Sequence, residues 1–126
     1  MRRSRLRILL VDDSSMNRTF VDAVLAPDDH VIETAATGTE GLARALAEPF
    51  DLIILDIELP GIRGDAICQQ LRAAGHRMPI VALTASALPE ELAAVGASGF
   101  DLVLTKPIDP QELRSKVAQL ASRSRR

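Results

Sequence analysis

Six polar side chains stand directly behind short apolar runs, and their types suit phosphoryl and metal chemistry. Asp12 and Asp13 follow residues 8–11, Asp56 follows 52–55, Thr84 follows 80–83, and Thr105 and Lys106 follow 102–104. Three carboxylates drawn into one crevice repel one another by about 4 kcal/mol per pair at 4 Å and an effective dielectric of 20. A hard divalent cation relieves that repulsion, and Mg²⁺ in particular is held by one or two carboxylates together with phosphate oxygens and water. The same ion would let a phosphoryl group approach a carboxylate. Asp56 is then a nucleophile candidate that can form an acyl phosphate. Thr84 can donate a hydroxyl hydrogen bond to the phosphoryl oxygens, and Lys106 can supply a point charge. Taken singly each signal is weak, since paired aspartates cap helices and Lys-Pro marks turns; their joint placement at strand ends carries the reading.

The elements that would hold these residues are legible in the spacing. Five apolar runs, at 8–11, 31–35, 52–55, 80–83 and 102–104, are each followed by room for one amphipathic helix. Four are almost continuously apolar, as parallel strands covered on both faces must be; the second carries Glu33 and Thr34 and reads as an edge strand. Between them the apolar period becomes helical: Met16, Phe20 and Val24, then Ile67, Leu71 and Ala74, and finally Leu113, Val117 and Leu120. Thr37 with Glu40 reads as a capping box, Pro89 as a first-turn proline, Asp109-Pro110 as a cap with its N1 proline, and Gly75 as a helix end. Right-handed crossovers then give an α/β, flavodoxin-like (βα)5 fold: a single domain with a doubly wound parallel sheet. The polar second run favours strand order 2-1-3-4-5, whose ligand crevice lies beyond the carboxyl ends of the strands.

The chain resembles the receiver domain of two-component response regulators through Leu9-Leu10-Val11-Asp12-Asp13, the run from Asp51 to Gly61 around Leu55-Asp56-Ile57-Glu58, Pro79-Ile80-Val81-Ala82-Leu83-Thr84-Ala85, and Lys106-Pro107. That resemblance implies that Asp56 is the phosphoacceptor. It implies that Asp12, Asp13 and Asp56 bind Mg²⁺ with the backbone carbonyl of Glu58, that Thr84 and Lys106 bind the phosphoryl group, and that Lys106-Pro107 is cis. The donor would be a phosphohistidine on a histidine kinase or histidine phosphotransfer protein. The only chemistry would be the domain's own phosphorylation and dephosphorylation, without turnover of an external substrate. Two features depart from the family pattern. Val103 stands three residues before Lys106, where the family has Tyr or Phe, and the acidic Glu58 side chain lies where it could alter phosphoryl lifetime. Asn17-Arg18 and Ala82-Leu83-Thr84-Ala85 are similar to receivers appended to hybrid histidine kinases, so the chain is read either as a stand-alone receiver or as one cut from a longer protein.

Composition sets the remaining bounds. The 126 residues suit one domain, with residues 1–7 as a basic N-terminal extension, 8–122 as the receiver and 123–126 as a basic tail. The net charge of −2 hides an acidic body: residues 8–122 hold all 17 acidic residues against eight basic ones, which argues against direct nucleic-acid binding. No run approaches the roughly 20 apolar residues of a membrane span, and no signal h-region follows the basic start, so a cytoplasmic protein is expected. Cys68 is the single cysteine and reads as a buried thiol. His30 and His76 read as surface histidines, and Asp28 and Asp29 as solvent-facing charge. No Walker-type or dinucleotide fingerprint occurs. Two rival functions stay open: a phosphorylation-independent receiver-like interaction module, and an aspartate-dependent phosphohydrolase of the haloacid dehalogenase type, whose nucleophile would instead follow the first strand. A homodimer paired through the last helices is compatible with the pattern but not read from it.

Overall fold

The computed structural model describes residues 6–124. Five strands, β1 (Arg7–Val11), β2 (Val31–Ala35), β3 (Leu52–Asp56), β4 (Ile80–Thr84) and β5 (Leu102–Thr105), form one parallel sheet in the order β2-β1-β3-β4-β5. Five helices connect and follow them: α1 (Ser15–Leu25), α2 (Gly38–Ala47), α3 (Gly64–Ala73), α4 (Pro89–Gly96) and α5 (Pro110–Ser124). The polar run is the edge strand β2, as expected.

Strand alternation sorts the core into two layers. Ile8, Leu10, Leu52, Ile54, Val81 and Leu83 face α1 and α5, where they meet Val21, Leu25, Leu113, Val117 and Leu120. Leu9, Val11, Ile53, Leu55 and Ile80 point the other way, onto Ile67, Cys68 and Leu71 of α3 and Ala45 of α2. Both faces of the central strands are therefore dry, which is why their sequences are apolar without alternation. Burial pushes the Cys68 thiol up to about 11, so it stays a neutral packing group.

The helix boundaries follow the expected chemistry. Thr37 Oγ1 accepts from the Glu40 N–H at 3.1 Å, and the Glu40 carboxylate returns a contact to the Ala36 N–H at 3.3 Å, one residue earlier than a standard box. Pro89 opens α4, and Asp109 caps α5 by accepting from the Gln111 N–H at 2.9 Å. Gly75 has φ +90° and ends α3 in a Schellman arrangement, with His76 N–H donating to Leu71 O and Gly75 N–H to Arg72 O.

Three expectations need correction. In α1 the inward residues are Val21 and Leu25, with Val24 half-buried, whereas Met16 is 80% and Phe20 38% exposed. Steps of four residues rotate by about 40° each, so a 16-20-24 series drifts across the helix and does not fix which neighbouring stripe faces the sheet. In α3, Cys68 rather than Ala74 completes the buried stripe, because the helix ends at Ala73. Finally, the folded body starts before residue 8. Leu6 is buried and Arg7 lies in β1, ion-paired with Glu33 and Glu48 and stacked 4.3 Å over the Phe50 ring. Residues 1–5 and 125–126, with most of the arginine-rich ends, lie outside the described residues.

Asp28 and His30 also do more than face solvent. Asp28 accepts from the Arg114 guanidinium at 2.9 and 3.3 Å, tying the 3-10 turn that follows α1 (Ala26–Asp28) to α5, and His30 Nδ1 accepts from the Leu6 N–H at 3.1 Å. Among the described residues no helix is long and apolar enough to cross a membrane.

Candidate functional site

The carboxyl ends of β1, β3, β4 and β5 bring the expected residues to one rim. Asp12 directly follows β1 and is fully buried, Asp13 is exposed beside it, and Asp56 is the last, buried residue of β3. Thr84 ends β4, also buried, and half-buried Lys106 follows β5. One carboxylate oxygen from each of Asp12, Asp13 and Asp56 lies within 4.8 Å of the others. The Lys106 ammonium sits 3.3 Å from Asp56 Oδ1. The Lys106-Pro107 bond is cis. Thr105, the sixth residue singled out by its position, is exposed at the end of β5.

Local backbone fixes each group. Ser14 N–H donates to Asp12 Oδ1 at 2.9 Å as the chain turns into α1, whose N-cap is the Ser14 hydroxyl on Asn17 N–H. Arg18, one turn into α1, donates to the Asp12 carbonyl at 2.8 Å and pins the same turn. Asp56 Oδ1 accepts from the Glu58 N–H at 3.2 Å. Beneath the β3–α3 loop, Gly64 N–H donates to Ile57 O, and a Cβ at Gly64 would lie only 2.3 Å from the Asp56 carbonyl oxygen. Only glycine allows α3 to start that close to the strand end.

The electrostatics of the rim favour a cation. Burial raises the Asp56 carboxyl above its ordinary value; the Lys106 charge opposes this and the neighbouring Asp12 adds to it. Asp12 Oδ2 is buried and has no hydrogen-bond partner in the protein, although a buried carboxylate oxygen ordinarily has one. An orphaned oxygen facing two more carboxylates is a donor set for a hard divalent ion, so the residues fit Mg²⁺.

The Glu58 side chain is the part of the site that sequence reasoning left undefined. Its carboxylate turns toward β4, where Oε2 accepts from the Thr84 hydroxyl at 2.7 Å and Oε1 from the Ala85 N–H at 3.0 Å. Val103 is half-buried and packs with Phe100 against Ile57, Ala82 and Val95. An aliphatic side chain thus occupies the position three residues before Lys106.

The response regulator receiver domain family matches residues 8–118. The chain belongs to that family. Sensor histidine kinase AruS of Pseudomonas aeruginosa is 35% identical over 123 residues, 94% of this chain but 12% of that protein. Response regulator ArlR of Staphylococcus epidermidis is 33% identical over 116 residues, 92% of this chain and 52% of that protein. This receiver chain therefore spans about half or less of the length of these relatives. Among solved structures, a CheY-like receiver domain protein of Methanospirillum hungatei superposes with a TM-score of 0.89 at 29% identity, covering 97% of this chain and 98% of that one. The receiver domain of a P. aeruginosa sensor histidine kinase, solved with a magnesium ion coordinated in its active-site cleft, gives a TM-score of 0.86 at 29% identity, over 94% and 99% of the two chains. In the phosphohydrolase alternative the nucleophile would follow β1 within an Asp-x-Asp pattern, whereas here β1 is followed by the adjacent pair Asp12 and Asp13 and the spaced acids Asp56-Ile57-Glu58 come from β3.

Proposed function

We propose that this receiver takes a phosphoryl group from a phosphohistidine onto Asp56. A histidine kinase or histidine phosphotransfer protein would be the donor, and the receiver would then relay its state by conformational change or onward transfer. The observation that carries this reading is a buried strand-end carboxylate, Asp56, with an ammonium 3.3 Å away and two further carboxylates within metal-sharing distance. An Asp56 oxygen attacks phosphorus, the P–N bond to the donor imidazole breaks, and the imidazole leaves with the bonding electron pair. Lys106 balances charge on the transferred oxygens, and Thr84 offers them a hydroxyl donor. Mg²⁺ held by Asp12, Asp13, Asp56 and the Glu58 carbonyl would supply charge neutralisation to the carboxylates and the phosphoryl group. Hydrolysis of the acyl phosphate returns the domain to its starting state, so its chemistry is confined to itself. Under this reading it works in the cytoplasm.

The test is incubation of the purified chain with a small phosphodonor and Mg²⁺, followed by intact mass measurement. A gain of one phosphoryl group that disappears in Asp56→Ala is expected. No gain under conditions that modify a control receiver would favour a phosphorylation-independent interaction module.

A further inference from the structure

We infer that the Glu58 carboxylate is an internal anion occupying the donors that a phosphoryl group on Asp56 would use, so that phosphorylation proceeds by displacing it. This rests on the phosphoacceptor reading above and concerns how that site is held before it is used.

The geometry is that of an anion already bound. Both Glu58 oxygens are engaged, one by the Thr84 hydroxyl at 2.7 Å and the other by the Ala85 backbone N–H at 3.0 Å. A hydroxyl has one proton to donate, and so does a backbone amide. While Thr84 and Ala85 donate to Glu58, neither can donate to an oxygen on Asp56. Thr84 Oγ1 also accepts from the Ser86 N–H at 3.2 Å, which leaves the hydroxyl proton directed at the carboxylate. The Glu58 N–H is itself directed to Asp56 Oδ1. Three donors next to the phosphoacceptor are thus held by carboxylates of the resting protein.

A phosphoryl group brings about two negative charges and three strong acceptor oxygens to the same place. It out-competes a carboxylate for the donors and repels it. Glu58 is exposed at the mouth of the crevice, so its side chain can swing into water without disturbing the core. The exchange also reaches the link to α4. Thr84, Ala85 and Ser86 form the start of that link, and α4 begins without a side-chain cap at Leu88. Releasing Glu58 frees this segment to follow the phosphoryl group, a route that does not require an aromatic residue at Val103.

The test uses beryllofluoride, a non-covalent phosphoryl mimic, titrated with saturating Mg²⁺ into the full chain, Glu58→Ala and Glu58→Gln, with binding followed by amide NMR. Removing two hydrogen bonds to a charged competitor should tighten mimic binding about 10-fold or more in Glu58→Ala. Glu58→Gln, which keeps the shape but loses the charge and one acceptor, should fall between Glu58→Ala and the wild type. Affinity for Mg²⁺ alone should be unchanged or weaker in both variants, because each removes a negative charge. In the wild type the Glu58 side-chain carboxyl resonance should move to a solvent-exposed position when the mimic binds. Mimic affinity equal to or weaker than wild type in both variants overturns the inference. Failure of the wild type and both variants to bind the mimic, with a control receiver binding it, overturns instead the phosphoacceptor reading underneath.

Discussion

Lys106 Nζ lies 3.3 Å from Asp56 Oδ1, a close pairing of an ammonium with a carboxylate that burial would otherwise keep protonated more readily. A hydrogen bond to a charged group contributes roughly 1.5–3 kcal/mol, a factor of about 10 to 150 in a rate that depends on it. Lys106→Ala should therefore slow phosphorylation by a small phosphodonor by about one to two orders of magnitude. Mg²⁺ affinity should rise modestly, since a competing cation is gone. Stopped-flow phosphorylation and a metal titration on the same variant separate the two effects; unchanged kinetics would remove Lys106 from the phosphoryl site.

Asp12 Oδ2 gives a second prediction, about stability rather than rate. A buried, unpartnered oxygen beside two other carboxylates is a repulsive arrangement without metal. Asp12→Asn should stabilise the metal-free protein by about 1 kcal/mol or more, a fraction of the Coulomb repulsion expected at a high effective dielectric. The same substitution should abolish the stabilisation that Mg²⁺ gives the parent, about 2.7 kcal/mol at a concentration 100 times the dissociation constant. Thermal melts with chelator and with excess Mg²⁺ check both signs.

The strand ends were legible in the sequence because a fully buried parallel strand reads as an unbroken apolar run, and the residue ending the run must sit on the rim. Asp56 and Thr84 close β3 and β4 in this way, and Asp12 and Lys106 follow β1 and β5 directly. Edge placement of β2 was equally legible from Glu33 and Thr34. Two things were not. The inward face of α1 depends on how the helix is rotated against the sheet, and Met16, Phe20 and Val24 left that phase undetermined. The bond from Glu58 to Thr84 crosses between strand ends 26 residues apart in sequence, so residue type alone showed an acid near the site without showing which donors it engages.

Gly64 is a backbone requirement hidden in the same way. A Cβ there would meet the Asp56 carbonyl oxygen at 2.3 Å and the Ile57 Cα at 3.0 Å, and backbone atoms cannot move aside as a flexible side chain can. Gly64→Ala should cost about 1–3 kcal/mol of stability or more. Because the strain falls on the carbonyl of Asp56, metal affinity and phosphorylation should decline with it. Gly61→Ala is the control: nothing lies within 4 Å of its Cβ, so its penalty comes from the positive φ of +86° alone and should leave Asp56 in place. Chemical denaturation paired with Mg²⁺ titration distinguishes them.

Acid sensitivity should arise at the opposite end of the sheet. Glu33 on β2 accepts from Arg7 at 2.6 Å and is also ion-paired with Arg44, and these guanidinium contacts hold its carboxyl at about 2, well below the usual 4.5. Glu48 is lowered too, chiefly by Arg44 and then Arg7. A carboxyl whose folded value lies below its unfolded value contributes stability that is fully present above the unfolded value and disappears as pH falls through the folded one. The network should therefore support the fold at neutral pH and fade between about pH 4.5 and pH 2. These side chains are a quarter to a third open to water, so screening keeps the effect small and salt-dependent. Urea midpoints for the parent and Glu33→Gln should differ at pH 7 in low salt, with the parent more stable. That difference should shrink as pH is lowered toward 2 and as salt is raised. A gap that widens on acidification would mean that the pairing of Glu33 is not what stabilises this edge of the sheet.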